Sequence, residues 1–249
     1  MTDAGAAVSA AAPRLCVFDD TAQLATAAAE DFARFAQTRT AEARAFFVAL
    51  AGGNTPRALY RALAARGDID WTSVHIFFGD ERCVPPTHTD SNYRMARETL
   101  LQHVPIPDLQ VHRLRGELAP EDAARVYADE LEYVPSANRW PRFDLVLLGL
   151  GDDGHIASLF PETMALERSD TTVVANAVPR LGVQRLTLTF PVINNADAVW
   201  LLVSGETKAA IVQRALGNKD GTPLPVQRLD PARVTWYLDR GASSGAART

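Results

Sequence analysis

The chain has 249 residues, of which 47% are hydrophobic and 22% charged, a composition that excludes a disordered chain, a collagen-like repeat or a membrane bundle. There are 25 Lys and Arg residues against 30 Asp and Glu residues, so the formal net charge is −5 at pH 7. Because binding to nucleic acid or to an anionic membrane needs a basic surface, we expect neither partner. A local basic pocket for a small anion is compatible with this charge.

The cysteines and the N-terminal residues indicate the cellular compartment. Cys16 and Cys83 are too few for a disulfide framework and too far apart for a CxxC motif, so reduced thiols are expected. The first twelve residues are small and rich in alanine, carry Asp3 and lack a basic start, unlike a signal peptide. The longest strongly apolar run, at 145–150, is far shorter than the roughly 20 residues that span a bilayer. We therefore expect a cytoplasmic protein.

Apolar runs of β-type composition alternate with helical patterns along the chain. Strands are predicted, in chain order, at 15–18, 45–50, 74–78, 145–148, 186–190, 198–203 and 234–238. Helices are predicted after a cap at Asp20 or Thr21 and at 56–66, 92–103, 120–134 and 206–216. This alternation predicts an α/β protein with a three-layer, Rossmann-like architecture, in which helices cover both faces of a mostly parallel sheet.

Two features refine this prediction. Ala45–Leu50 is apolar throughout, as expected of a strand covered on both faces, whereas Leu and Thr alternate over 186–190, which predicts one wetter face. We find no internal repeat and no linker rich in Pro, Gly or Ser. Residues 1–249 are therefore predicted to form a single domain, with flexible tails at about 1–13 and 241–249.

Ligands of such sheets bind at the carboxyl ends of the strands, and four loops there carry reactive residues. The first loop contains Gly52, Gly53, Asn54 and Thr55, followed by Pro56. Thr55 is a suitable N-cap for the next helix, and a glycine turn that leads into a helix N-terminus favours an anion. The loop lacks the GK[ST] of a nucleotide P-loop, so one phosphate of a small molecule fits better. A tight turn without a ligand explains the same residues equally well.

The second loop follows the strand at 74–78. Arg82 is a candidate phosphate ligand or oxyanion partner, and Asp80 is a candidate for orienting a base. Ser91 or Asn92 is expected to cap the next helix, and Asn92 also belongs to the predicted substrate-binding set. A surface ion pair between Asp80 and Arg82 is the simpler alternative.

The third loop, at 149–155, matches the G-x-G-x-x-G pattern of dinucleotide-binding proteins. We reject that interpretation because Asp152 and Asp153 would place two negative charges beside a pyrophosphate, and because the motif lies past mid-chain. Histidine is the usual general base near neutral pH, and a carboxylate partner fixes its tautomer. His155 is therefore the candidate base, with a structural histidine as the equally weighted alternative.

The fourth loop contains Lys208, in the predicted first turn of a helix, where a cation opposes the helix dipole. That unfavourable position points to an anionic ligand, although a solvated lysine explains it almost as well. The remaining histidines show no metal-ligand spacing, so no metal site is predicted.

Taken together, four segments resemble the 6-phosphogluconolactonases over essentially the whole chain. The segments are LAGGNTPRALY, FFGDERCVPPTHTDSNYRMA, DLVLLGLGDDGHIASLFP and LLVSGETKAAIV. The related glucosamine-6-phosphate isomerases share the fold and the DGH turn, but Phe160 stands here where those enzymes have a glutamate. Cys83 departs from the family, which often has Trp or another large residue at that position.

The resemblance implies hydrolysis of 6-phospho-D-glucono-1,5-lactone in the oxidative pentose phosphate pathway, without a metal or organic cofactor. His155 would be the general base, oriented by Asp153 or Asp80, and Arg82 would stabilise the oxyanion or anchor the phosphate. The predicted substrate-binding residues are Gly52, Gly53, Asn54, Thr55, Asn92 and Lys208. The alternative functions are a glucosamine-6-phosphate isomerase and a non-catalytic sugar-phosphate sensor. The protein is expected to be a monomer or a weak dimer.

Overall fold

The computed structural model describes residues 12–136, 138–217 and 222–244. Its strands are β1 (Arg14–Phe18), β2 (Phe46–Leu50), β3 (Val74–Phe78), β4 (Asp80–Arg82), β5 (Leu145–Leu148), β6 (Val173–Val178), β7 (Val183–Leu188), β8 (Ala198–Val203) and β9 (Val234–Asp239). Its α-helices are α1 (Thr21–Ala41), α2 (Asn54–Ala64), α3 (Asn92–Thr99), α4 (Pro120–Glu130), α5 (Phe190–Asn195), α6 (Ala209–Leu216) and α7 (Arg240–Ser243).

Six strands form one parallel sheet in the order β1-β9-β8-β5-β2-β3. Side chains of a strand alternate between the two faces of its sheet. The two neighbouring phenylalanines of β2 therefore lie on opposite faces. Phe46 packs edge-on against Phe32 of α1, whereas Phe47 packs beside Phe77, which in turn contacts Tyr127 of α4. Helices therefore cover both faces, and the predicted three-layer α/β architecture is confirmed.

A second sheet of three antiparallel strands, in the order β4-β7-β6, was not predicted as a sheet. The strand expected at 186–190 is β7, which ends at Leu188, and Phe190 already begins α5. Its wetter face was a wrong prediction, because Thr187 and Thr189 are completely buried. Their hydroxyls donate to the backbone carbonyls of Leu188 and Thr171, and a hydroxyl that is satisfied in this way can be buried at little cost.

Most helix predictions are confirmed, but several helices end or begin in a 3-10 turn. Asp20 caps α1 by accepting from Gln23 N at 2.9 Å, and Ser91 caps α3. The helices expected at 92–103, 120–134 and 206–216 each contain a separate 3-10 turn, at 101–103, 131–133 and 206–208 respectively. The first helical residue of α2 is Asn54 and its cap is Gly53, so the prediction that Thr55 is the cap was wrong.

Residues of both sheets belong to one hydrophobic core. The predicted N-terminal tail falls almost entirely outside the described residues. The C-terminal tail was expected from about residue 241, yet Gly241 and Ala242 belong to α7 and Ala242 is completely buried. Within the described ranges no helix is both long and apolar enough to cross a membrane.

Candidate active site

A cavity of about 930 Å³ opens at the carboxyl ends of β2, β5 and β8, where the predicted loops meet. Neighbouring parallel strands end at the same edge of the sheet, so loops that are distant in sequence become neighbours there. All ten residues of the predicted site line this cavity: Gly52, Gly53, Asn54, Thr55, Asp80, Arg82, Asn92, Asp153, His155 and Lys208.

The loop after β5 presents a histidine that is held by a neighbouring carboxylate. Nδ1 of His155 lies 2.5 Å from Oδ1 of Asp153, which also accepts from the His155 backbone N–H at 3.1 Å. Gly154 has φ of +82°, a conformation that glycine adopts readily and that closes this turn. A Cβ at Gly151 would lie 1.9 Å from His155 Nδ1, so only glycine leaves room for the ring.

The electrostatics of this pair favour an ionised carboxylate. Burial opposes the charge of Asp153, but the hydrogen bond from His155 and the charges of His155 and Arg180 outweigh burial and lower the pKa of the Asp153 carboxyl. The carboxylate accepts from Nδ1 of the imidazole, so the neutral ring carries its proton on Nδ1 and has a free lone pair on Nε2. That lone pair is what a general base needs.

Asp80 does not contact His155. Its carboxylate accepts from Ser158 Oγ at 2.6 Å and from Asn92 Nδ2 at 3.1 Å. Of the two carboxylates considered for orienting His155, only Asp153 lies against the imidazole, whereas Asp80 binds Ser158 and Asn92. The alternative, an ion pair between Asp80 and Arg82, is not formed among the described residues either. The Arg82 guanidinium instead donates to the carbonyl of Asp90.

The glycine turn after β2 lies directly against the Asn92 side chain. A Cβ on Gly52 would fall 2.0 Å from Asn92 Oδ1, so the close approach of the turn to α3 requires glycine there. Gly53 has φ of +108° and leads into α2, whose first residues line the cavity. The first N–H groups of a helix have no partner within the helix. Thr55 does not cap the helix as predicted. Its hydroxyl lies 2.7 Å from Ser204 Oγ, and this contact joins the loops after β2 and β8.

Lys208 lies in the 3-10 turn before α6 and is only a quarter exposed. Its ammonium donates to the Leu150 carbonyl at 2.8 Å and to Asp152 Oδ1 at 2.6 Å. The lysine is therefore held over the cavity by the loop after β5 and is not a solvated side chain. Asp152 is 86% exposed, so an anionic ligand can replace it at low cost.

Three further residues of the cavity were not among the predicted site residues. Phe160 is buried and stacks on the His155 ring with 4.0 Å between ring centroids. Arg185 stands opposite Arg82 in the β4–β7 register, and Arg180 pairs with Asp153. Both arginines belong to the β6–β7 hairpin, which was not predicted, so no signal placed them at the site.

The two facing arginines repel each other. Burial and the charge of Arg82 lower the pKa of Arg185 and outweigh the opposing charges of Asp80 and Asp90. Neither guanidinium forms a direct ion pair with a carboxylate of the described residues. Two adjacent cations that form no direct ion pair with a carboxylate form a natural site for an anion. No three His, Cys, Asp or Glu side chains of the described chain converge as a metal site.

The chain is similar to known proteins over most of its length. Residues 19–237 match the model of the family described as glucosamine-6-phosphate isomerases/6-phosphogluconolactonase. A 6-phosphogluconolactonase of Synechocystis is 44% identical over 78% of this chain and 82% of its own length. The human 6-phosphogluconolactonase is 38% identical over 95% of each chain. A 6-phosphogluconolactonase structure from Trypanosoma brucei superposes with a TM-score of 0.83 at 29% identity, covering 94% of this chain and 99% of that chain.

The family resemblance read from the sequence motifs is thus confirmed by a match that covers most of the chain: the protein belongs to the family of glucosamine-6-phosphate isomerases and 6-phosphogluconolactonases.

Proposed function

We propose that the protein hydrolyses 6-phospho-D-glucono-1,5-lactone to 6-phosphogluconate, as a carboxylic ester hydrolase of the oxidative pentose phosphate pathway. The observation that carries this proposal is the His155–Asp153 pair in a cavity that is also lined by Arg82, Arg185 and Lys208. A base and several cations in one cavity suit a substrate that has an ester at one end and a phosphate at the other. The names of the Synechocystis and human relatives support the same activity.

His155 would act on the water that attacks the lactone carbonyl. Its free Nε2 accepts a proton from water as the oxygen bonds to C1, and the ionised Asp153 stabilises the imidazolium that forms. The tetrahedral intermediate then collapses, the bond between C1 and the ring oxygen breaks, and the imidazolium returns the proton to that oxygen. The products are a hydroxyl and a carboxylic acid, and the acid then ionises and releases its proton to the solvent. These steps change no oxidation state and use only water and side chains of this protein, so the proposed mechanism includes no metal or organic cofactor.

The cations would act at the two ends of the substrate. Lys208 and the α2 N-terminus at Gly53 bind the 6-phosphate, because free N–H groups and an ammonium both favour an anion. Arg82, next to Arg185, stabilises the negative oxygen of the intermediate. Anchoring the phosphate orients the distant carbonyl toward the base.

Phe160 argues for the lactonase over the isomerase. By the family resemblance it stands where the isomerases have a glutamate, and here it is buried against the face of His155. A phenyl ring cannot exchange protons with a sugar, so the second carboxyl that an isomerase would use is missing at this position.

The test is a direct assay of both activities on one preparation. The lactone is generated in situ by oxidation of glucose 6-phosphate, and acid release is followed against the rate without protein. The same protein is then given glucosamine 6-phosphate, and ammonia is measured. Faster acid release without ammonia supports the proposal. Ammonia without lactone hydrolysis would instead indicate an isomerase, and neither activity a sensor.

Two further expectations belong to this proposal. A cytoplasmic location would be tested by cell fractionation, and a monomer or weak dimer by the concentration dependence of the sedimentation coefficient.

A further inference from the structure

The turn between β6 and β7 brings an arginine to the catalytic pair. Arg180 lies in the 3-10 turn Pro179–Leu181, and its side chain lines the cavity together with Leu181. Its guanidinium pairs with Oδ2 of Asp153, while half of the side chain stays exposed to solvent. The turn belongs to the small sheet, so Arg180 joins that sheet to the loop after β5.

Asp153 thus divides its two oxygens between two partners. Oδ1 faces Nδ1 and the backbone N–H of His155, and Oδ2 faces Arg180. A carboxylate that is bonded on both oxygens cannot rotate without losing both contacts. The plane of the Asp153 carboxylate is therefore set by Arg180 on one side and by His155 on the other.

Arg180 also reaches the group that packs on the face of the imidazole. Its guanidinium carbon lies 5.3 Å from the centroid of the Phe160 ring, within the range of a cation–π contact. Phe160 in turn stacks on His155 with 4.0 Å between centroids and a 30° angle between the rings. Arg180 therefore contacts both of the residues that hold His155, one at the edge of its ring and one at its face.

We propose that Arg180 is a positioning residue for the general base: it holds the ionised Asp153 with Oδ1 toward His155 and keeps Phe160 against the imidazole. This inference rests on the proposed function for the role of His155 as a base. The other charged groups that line the cavity are Asp80, Arg82, Asp152, Arg185 and Lys208.

The variants Arg180→Gln and Arg180→Lys test this role, and Arg168→Gln is the matched control. Arg168 pairs with Asp170 before β6, is similarly exposed and does not line the cavity. The pKa of the His155 imidazole is measured by NMR titration without substrate, with His155→Asn to assign the resonance. The pH profiles of kcat and KM for the lactone are measured in parallel.

We expect the NMR titration of His155 in Arg180→Gln to move to higher pH than in the parent protein, since the loss of a nearby cation favours the imidazolium. The acid limb of kcat/KM should move to higher pH by the same amount, and kcat should fall about tenfold with KM nearly unchanged. Arg180→Lys keeps the charge and should restore most of the titration, and Arg168→Gln should match the parent protein.

An unchanged His155 titration in Arg180→Gln would overturn the inference. So would a rise in KM with unchanged kcat, because that result would make Arg180 a ligand of the substrate. If kcat fell equally at all pH values and the acid limb did not shift, Arg180 would have only a structural role. That result would also contradict the proposal. Because the NMR titration uses no substrate, it gives its answer even if the parent protein fails to hydrolyse the lactone, so the two failures are distinguishable.

Discussion

His155 is held on three sides by residues that leave its Nε2 free. Asp153 lies at Nδ1, Phe160 covers one face, and the missing Cβ of Gly151 leaves the space that the ring occupies. Each of these contacts restricts the ring, and a base that is already oriented loses little entropy when the substrate binds. The consequences can be tested one side chain at a time.

Replacing His155 by alanine removes the proposed base. A general base contributes typically a hundred- to ten-thousand-fold, so we expect kcat for lactone hydrolysis to fall by at least about a hundredfold. Circular dichroism and thermal unfolding check that the fold is kept. His88→Ala, at an exposed histidine outside the cavity, serves as the control and should retain full activity. Near-normal turnover of a folded His155→Ala protein would rule out the assignment.

Replacing Lys208 by alanine removes one proposed phosphate ligand. A hydrogen bond to a charged group contributes about 1.5–3 kcal/mol, so we expect KM to rise by about tenfold or more with little change in kcat. Asp152→Asn is the matched variant, because it frees Lys208 from its partner without removing a ligand. Its KM should stay the same or fall. A pure kcat defect in Lys208→Ala would show that Lys208 does not bind the phosphate.

Among the elements, the short strand β4 and helix α3 are joined by one buried carboxylate. Glu81 is 2% exposed and accepts from the backbone N–H groups of Arg82, Asn92 and Tyr93 and from the Ser91 hydroxyl, all at 2.7–2.9 Å. It satisfies the free N–H groups at the start of α3, where a negative charge is also favoured by the helix dipole. This arrangement sets the position of Asn92 beside the glycine turn.

Replacing Glu81 by glutamine should therefore destabilise the protein. The amide nitrogen cannot accept, so at least one backbone N–H loses its partner and the charge at the helix N-terminus is lost. We expect the free energy of unfolding to fall by about 2–4 kcal/mol. Urea unfolding at pH 8 is suitable, since burial raises the pKa of Glu81 and the carboxyl must be ionised.

The control for this prediction is Glu98→Gln on the same helix. Glu98 is exposed and pairs with Arg94 four residues away, so its loss should cost no more than about 0.5 kcal/mol. Equal effects of the two substitutions would contradict the capping role of Glu81.

At the scale of the whole molecule, stability should depend on pH through a histidine pair far from the cavity. His75 on β3 lies with Nδ1 3.2 Å from Nε2 of His112, whose Nδ1 lies 2.9 Å from Glu130. Phe47 stacks on His75 and Phe77 stacks on His112. Burial, together with the charge of His112, lowers the pKa of His75 below its ordinary value of 6.5.

A histidine whose pKa is lower in the folded protein than in the unfolded chain binds fewer protons when folded. Its contribution to stability is fully present above about pH 6.5 and is lost as the pH falls through the folded pKa. We expect the free energy of unfolding, measured in urea between pH 7.5 and 5, to decline over this range. In His75→Asn the decline should be shallower, because an amide does not titrate.

His88→Asn is the control for this prediction, because His88 is exposed and should leave the slope unchanged. If the two variants showed the same pH dependence, His75 would not be the responsible group.

Features that depend on local sequence could be predicted, whereas features that depend on contacts between distant segments could not. The central strands of the parallel sheet and the loops that follow them could be predicted, since β2, β5 and β8 are apolar and buried almost throughout. The loops after them are rich in Gly and polar or charged residues. The small sheet could not. β4 has the charged sequence Asp80–Arg82, and β6 and β7 pair through contacts that local patterns do not encode.

The sequence alone therefore determined the α/β architecture and the ten residues that meet in the cavity, because strand order and loop position bring the carboxyl ends of neighbouring strands together. Only the tertiary structure decided which side chains each carboxylate contacts. Asp153 holds His155, Asp80 holds Ser158 and Asn92, and Arg180 and Arg185 enter the cavity from a hairpin. Such assignments depend on distances of a few ångströms between segments far apart in the chain, and no local pattern specifies those distances.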